Sequence, residues 1–241
     1  MNKIMNQFQL LLISFVVFLL TATTATAQDG SLNKYGLNVI GNSEAFHNSI
    51  ANAPSKAMVD LKKSLPGLFV DLRYAGANNF MHQRLYPSGA RAWLRKAAAD
   101  SLAMVQKELK EKGLALKIFD AYRPWSITDL MWEKVKDDRY AADPKKGSNH
   151  NRGVAVDLTI VDLKTGKEWD MGTGFDNFSD TAHHAFTQLS PAVLRGRVLL
   201  KTTMEKHGFK ALDTEWWHYS LLGAGDFELL DLGFGELRKL K

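Results

Sequence analysis

The sequence contains no cysteine among its 241 residues. This absence excludes a disulfide framework, so the fold must be stabilised by packing, with help from a bound metal where there is one. It also excludes thiolate ligands. Any metal site in this chain must therefore be built from nitrogen and oxygen ligands.

A hydrophobic run long enough to cross a membrane is also missing. The N-terminal apolar run extends from Leu10 to Leu20, whereas a spanning helix needs ~20 apolar residues. The run follows the charge of Lys3 and precedes an A-x-A site that ends at Ala27, which is the pattern of a secretory signal peptide. We expect residues 1–27 to be removed, giving an exported, periplasmic protein with no membrane anchor after cleavage.

A strong charge of either sign is absent as well. The formal net charge of +5 is mild and dispersed, and so does not indicate nucleic-acid binding. We find no internal repeat and no linker. The sequence predicts a polar leader over residues 28–55 and one domain over residues 56–241, and it does not predict the oligomeric state.

Hydrophobic periodicity predicts an alternation of strands and helices. Helices are expected over residues 90–112, capped by Ser88, and over residues 126–135 and 191–208. Strands are expected over residues 68–74, 114–119, 154–160, 209–212 and 214–220.

The stretch from Ser148 to Thr159 is the one around which the chain is organised. It begins as a polar loop and continues as a strand whose branched side chains face a core. The other face of this strand carries small residues and the carboxylate of Asp157. His150 lies in the loop that leads into the strand, so a histidine and a carboxylate could meet there with room for a metal ion.

A second polar stretch, from Asp213 to Tyr219, supplies the groups that His150 and Asp157 lack. His218 could be a third ligand, since a catalytic zinc takes imidazole and carboxylate ligands and keeps one position open. Glu215 could be the base that takes a proton from the attacking water. Residues three apart on a regular strand point to opposite faces, so this hypothesis requires a turn or bulge where the strand begins.

Arg123 is the candidate cation for stabilising an oxyanion. It follows a predicted strand, and Pro124 restricts its backbone to the extended region. Each of these residues has a structural explanation when taken alone. His150 could cap its loop, Asp157 could pair with a lysine, and Arg123 could bond backbone carbonyls. Together they fill the roles of metal-assisted amide hydrolysis.

The candidate metal ligands and the candidate base lie in two motifs, S-x-H-x-x-G-x-A-x-D ending at Asp157 and E-x-x-H ending at His218. Through them the chain resembles the VanX-like zinc D-alanyl-D-alanine dipeptidase family, which is related to the VanY-type D,D-carboxypeptidases and the Hedgehog fold. The D-x-Y-R-P run at residues 120–124 and the D-M-G-T-x-F-D run at residues 170–176 are similar to the dipeptidase branch.

The resemblance implies an α+β fold, in which a mostly antiparallel central sheet is flanked by helices within a single domain. It implies one Zn²⁺ per chain, a small D,D-dipeptide as substrate, and a role for each of ten residues. His150, Asp157 and His218 would bind the metal, Glu215 would be the base, Arg123 would stabilise the transition state, Asp120 would orient Arg123, Ser148 and Asp176 would lie near the substrate amine, and Tyr74 and Phe80 would shape the pocket.

The function implied is hydrolysis of D-Ala-D-Ala to free D-alanine in the cell envelope. Two alternatives stay open on the sequence. One is a D,D-carboxypeptidase that trims peptidoglycan stem peptides, which would need an open groove past Asp176. The other is a non-catalytic binding module that has kept the fold. Tyr74 and Phe80, together with Asn79 and Tyr86, could equally be core aromatic and polar residues beside a strand.

Overall fold

A computed structural model describes residues 31–138 and 141–240 of the chain. The predicted signal peptide lies outside these residues. The described strands are β1 (Ser31–Leu32), β2 (Asn38–Ile40), β3 (Met58–Asp60), β4 (Phe69–Val70), β5 (Trp93–Arg95), β6 (Leu114–Asp120), β7 (Ala155–Asp162), β8 (Phe209–Leu212), β9 (Glu215–Leu221) and β10 (Leu229–Leu230). The described helices are α1 (Ser43–Ile50), α2 (Leu61–Ser64), α3 (Lys96–Lys110), α4 (Trp125–Val135), α5 (Pro191–Lys206) and α6 (Phe234–Leu237).

The central sheet has five strands in the order β4-β6-β7-β9-β8. β4 runs parallel to β6, and the other three neighbouring pairs are antiparallel. The α+β fold with helices beside the sheet is confirmed. The sheet is mixed rather than purely antiparallel, because β4 joins its edge in the parallel direction.

The middle strand of this sheet is buried on both faces. The predicted alternation on β7 is confirmed, since its branched residues are fully buried and belong to the main hydrophobic core. The small and polar residues on the opposite face are buried as well. The first face packs with the apolar stripes of α3 and α5, so this part of the core gives the polar face a rigid support. The core residues on β7 and the residue before it are Val154, Val156, Leu158 and Ile160.

The helix expected over residues 90–112 begins later than the pattern indicates. Trp93–Arg95 form β5, which pairs with β3, and α3 starts only at Lys96 without a side-chain cap. Ser88 therefore does not cap this helix. The helical pattern extended too far because it included Leu94. This residue is buried and stands at helical spacing from the first buried residues of α3, but it lies on a strand.

The strand expected over residues 68–74 is also shorter than predicted. Only Phe69–Val70 pair with β6, and Arg73–Ala75 form a 3-10 turn. The carbonyl oxygen of Tyr74 accepts hydrogen bonds from the backbone N–H groups of Leu85 and Tyr86. These bonds hold the chain away from the sheet edge and bring Tyr74 towards the polar face of the sheet.

The described part of the polar leader packs on the domain. β2 pairs in parallel with β10, and Phe46 from α1 is buried in a second hydrophobic cluster with residues near the C-terminus. Among the described residues, no helix combines the length and apolar character that a membrane span would need.

Candidate metal centre and active site

The strand register places three polar residues in one row across the sheet. Asp120 on β6 lies opposite Asp157 on β7, and Asp157 lies opposite His218 on β9. A bulge between Ile118 and Asp120 produces the first of these pairings. The sequence could reveal the residue types, but only the register shows that they are neighbours.

His150 joins this row from the loop before β7, so that three side chains could hold one metal ion. The candidate ligand atoms of His150, Asp157 and His218 all lie within 4.8 Å of one another. The Asp157 carboxylate is 2.9 Å from His218 Nδ1 and 3.4 Å from His150 Nε2. His150 and Asp157 are buried, which keeps these donors out of bulk water.

Hydrogen bonds on the outer side of each imidazole fix which nitrogen faces the centre. His150 Nδ1 lies 2.7 Å from the carbonyl oxygen of Ala121 and must donate to it, which leaves the Nε2 lone pair free. His218 Nε2 lies 3.2 Å from Ser220 Oγ, which leaves Nδ1 to face the centre. Ser220 Oγ in turn accepts a hydrogen bond from the Asn149 side-chain amide.

The geometry of this donor set fits a zinc ion. The two inward nitrogens, His150 Nε2 and His218 Nδ1, are 3.2 Å apart. Two nitrogens bound at about 2.0–2.1 Å in a tetrahedron would lie about 3.3 Å apart. Two imidazoles and one carboxylate leave a fourth position for water or substrate, as in catalytic zinc sites.

Glu215 reaches the same centre because the sheet is irregular where β9 begins. Leu212 pairs with Glu215 while Ala211 pairs with Tyr219, so the register shifts between these two positions. The predicted bulge at the start of the strand is confirmed. Glu215 Oε2 lies 3.9 Å from His218 Nδ1, and burial raises the pKa of the Glu215 carboxyl to about 7, against the lowering effect of His218.

Arg123 is held rigidly at the edge of the centre. Its Nε and Nη2 both donate to one oxygen of Asp120, at 3.0 and 2.7 Å, and its guanidinium lies over the Tyr74 ring. The other Asp120 oxygen accepts a 2.7 Å hydrogen bond from the Tyr86 hydroxyl. Burial lowers the pKa of the guanidinium, but Asp120 and neighbouring groups outweigh this and raise it well above its usual range, so Arg123 stays charged.

Asp176 presents its carboxylate from the glycine-rich loop. Its φ of 58° is in the left-handed region, which few side chains other than Asn and Asp adopt readily. The carboxylate accepts hydrogen bonds from the Tyr74 hydroxyl at 3.2 Å and the Phe80 backbone N–H at 3.1 Å. Burial is the main cause that raises the pKa of Asp176 to about 7.

These groups open into one small cavity of about 140 Å³, which we call the active-site cavity. Eight of the ten residues predicted from the sequence line it. They are Tyr74, Arg123, Ser148, His150, Asp157, Asp176, Glu215 and His218.

The sequence model of the D-ala-D-ala dipeptidase family matches residues 54–234. The chain belongs to this family. The D-alanyl-D-alanine dipeptidase of Escherichia coli (strain K12) is 39% identical over 173 residues, covering 72% of this chain and 89% of the relative. The D-alanyl-D-alanine dipeptidase of Enterococcus faecalis (strain ATCC 700802 / V583) is 30% identical over 181 residues, covering 67% of this chain and 90% of the relative.

A more distant likeness is to a solved structure of the vancomycin resistance D,D-pentapeptidase VanY in complex with Zn(II). That chain is 15% identical, with a TM-score of 0.37, and the match covers 64% of this chain and 88% of the other. The family membership rests on the dipeptidases, and it confirms the resemblance drawn from the two motifs.

Two residues predicted for the dipeptidase site stand behind the cavity. Asp120 is fully buried and accepts hydrogen bonds from Arg123, which lines the cavity. The Phe80 ring does not line the cavity; it packs edge-on against Tyr74 and Phe178, while its backbone N–H holds Asp176. Phe80 therefore lies behind the cavity wall rather than in it.

Sequence reasoning did not assign the other lining residues of this dipeptidase-family site. They are Asp138, Ala141, Ala142, Phe178, Leu212 and Trp217. Trp217 belongs to a motif but is also a buried core residue, and nothing in the local pattern separates the two roles. Asn79 and Tyr86, the other candidates for a substrate wall, are buried hydrogen-bonding residues instead.

Proposed function

We propose that this chain is a zinc-dependent dipeptidase that hydrolyses D-Ala-D-Ala to free D-alanine, with one Zn²⁺ per chain. The observation that carries the proposal is the arrangement of the active-site cavity. A set of metal donors, a carboxylate base and a guanidinium meet there with a second carboxylate that can bind an amine. The names of the relatives in the family point to the same substrate.

Zinc held by His150, Asp157 and His218 would supply a Lewis acid that acidifies water and polarises the scissile carbonyl. Glu215 Oε2 is placed to take the proton of the attacking water and to pass it to the leaving amine. Its raised pKa of about 7 suits proton transfer near neutral pH. Arg123 stabilises the developing oxyanion, and a single donor of this kind can contribute ~3 kcal/mol.

Asp176 gives the site its preference for a free amino terminus. A dipeptide carries an ammonium group that can pair with the Asp176 carboxylate, with the Ser148 hydroxyl nearby. An acylated peptide has no ammonium group and would leave that half-buried carboxylate unpaired. Such an unpaired group strongly lowers kcat/KM for the acylated substrate. Tyr74 and the Phe80 backbone fix the carboxylate in place.

The size of the cavity supports a dipeptide rather than a stem peptide. Its volume of about 140 Å³ is below the range of about 300–1,000 Å³ that is typical for drug-sized ligands. A carboxypeptidase acting on peptidoglycan stems would need an extended groove past Asp176. The small volume therefore favours the dipeptidase hypothesis over this alternative.

We place the reaction in the cell envelope, most simply the periplasm. The support is the signal-peptide pattern of residues 1–27 in the sequence. Wall-derived dipeptide would be the available substrate in that compartment. Fractionation of cells that produce the full-length chain tests this placement, and full-length protein retained in the cytoplasm would contradict it.

The experiment that tests the activity is hydrolysis of D-Ala-D-Ala by the purified protein, before and after treatment with a chelator. We expect release of two D-alanine molecules per dipeptide, loss of activity on chelation, and recovery with one equivalent of Zn²⁺. Metal content measured on the same samples should rise and fall with activity. Activity that survives complete removal of the metal would overturn the proposal.

A further inference from the structure

A second and larger cavity lies beside the active-site cavity on the same face of the sheet. We call it the lateral cavity; its volume is about 530 Å³. Asp157 lines the active-site cavity, and Thr159 lines the lateral cavity. The two residues share one face of β7 and are separated by about 7 Å along the strand.

Three short segments form the boundary between these cavities. In each segment, one residue lines the active-site cavity and its neighbour in the chain lines the lateral cavity. The pairs, with the residue of the active-site cavity first, are Tyr74 and Arg73, Asp176 and Phe175, and Trp217 and Trp216. The boundary is therefore thin, and it runs directly behind the carboxylate that we assign to the substrate amine.

The ring of Phe175 fills this boundary. Its centroid lies 6.0 Å from that of Tyr74 and 5.5 Å from that of Trp217, both of which line the active-site cavity. It also lies 5.2 Å from that of Phe119, which lines the lateral cavity. Phe175 thus touches aromatic residues in the linings of both cavities.

We propose that Phe175 is a specificity-determining residue, because it closes the amine end of the active-site cavity against the lateral cavity. This inference rests on the proposed dipeptidase function. A substrate with an acylated amine must continue past Asp176, and the Phe175 ring blocks the path into the larger space. The lining of that larger space includes Thr159, whose buried hydroxyl has no hydrogen-bond partner among the described residues.

The test is the ratio of kcat/KM for N-acetyl-D-Ala-D-Ala to kcat/KM for D-Ala-D-Ala, measured in wild type and in Phe175→Ala. We expect the ratio to rise at least about tenfold in the variant, since truncation opens space for the acetyl group while Asp176 still disfavours it. Both substrates are measured on one preparation, so a lower folded fraction cancels from the ratio. If Phe175→Ala does not fold, Phe175→Leu should give a smaller rise in the same direction.

Phe119→Ala is the matched control. It also removes a phenyl ring that lines the lateral cavity and contacts Phe175, but Phe119 does not line the active-site cavity, so its ratio should match that of wild type. An unchanged ratio in both Phe175 variants would overturn the inference, as would an equal rise in Phe119→Ala. A wild-type enzyme that cleaves neither substrate would instead contradict the proposed function, so the two failures are distinguishable.

Discussion

The substitution Asp176→Asn tests whether the Asp176 carboxylate binds the substrate amine. Asparagine has nearly the same shape and also tolerates the φ of 58° at this position. Its amide oxygen can still accept the hydrogen bond from the Phe80 backbone N–H, and its amide nitrogen can donate to the Tyr74 hydroxyl oxygen in place of the bond that Tyr74 donates to Asp176. What it removes is the negative charge that would pair with the substrate ammonium.

The loss of this charge should weaken use of the dipeptide. A hydrogen bond to a charged group contributes about 1.5–3 kcal/mol, which corresponds to a fall of about 10- to 150-fold in kcat/KM. We expect most of the effect in KM, since Asp176 binds the amine and not the reacting carbonyl. Steady-state kinetics with D-Ala-D-Ala measures this, and an unchanged KM at pH 8 would refute the assignment of Asp176.

The same substitution should stabilise the metal-free protein at high pH. The pKa of Asp176 is raised from 3.8 to about 7 in the fold, which corresponds to at most about 4 kcal/mol at 1.4 kcal/mol per pH unit. The pKa of Asp176 is higher in the folded than in the unfolded protein. The stabilisation that is present below pH 3.8 is therefore lost as the pH rises through about 7. Screening at this partly exposed side chain reduces the figure.

Urea denaturation at two pH values, on wild type and Asp176→Asn freed of metal with a chelator, tests the direction of this pH dependence. Asp176→Asn should be more stable than wild type at pH 8, and the difference should shrink as the pH falls towards 4. A variant that is less stable than wild type at pH 8 would mean that the carboxylate is not held in a strained, desolvated state.

Three further substitutions test the other parts of the site. Glu215→Gln should bind zinc with wild-type stoichiometry yet lose about 10²- to 10⁴-fold in kcat; loss of zinc would show that Glu215 is a ligand instead. Ser220→Ala should lower zinc affinity about 10- to 100-fold in chelator competition, because the outer hydrogen bond of His218 is removed, and Ser220→Thr should restore it. Tyr86→Phe should lower unfolding stability by about 1–3 kcal/mol because a buried oxygen of Asp120 loses its donor, whereas no loss of stability would contradict that contact.

Much of the site could be predicted from the sequence because its residues lie in compact motifs. His150 and Asp157 flank one strand start, and the E-x-x-H spacing required the bulge that the structure contains at Glu215. The strands and helices with clear periodicity, such as β7 and α5, are also where they were expected.

What the sequence could not provide are the features set by long-range packing. Trp93–Arg95 fit a helical pattern but pair with β3, because strand pairing outweighs local periodicity. The chain leaves β4 early because Tyr74 bonds to the distant Tyr86 backbone. The thin boundary at Phe175 joins segments that are far apart in sequence, so no local pattern could reveal it.

The measurement that tests the central claim most directly compares D-Ala-D-Ala with N-acetyl-D-Ala-D-Ala as substrates of the zinc-loaded wild-type protein. An active-site cavity in which Asp176 binds the substrate amine should prefer the free dipeptide by at least about 100-fold in kcat/KM, and a chelator should abolish cleavage of both substrates. Equal cleavage of the two substrates would contradict the dipeptidase assignment and favour a carboxypeptidase.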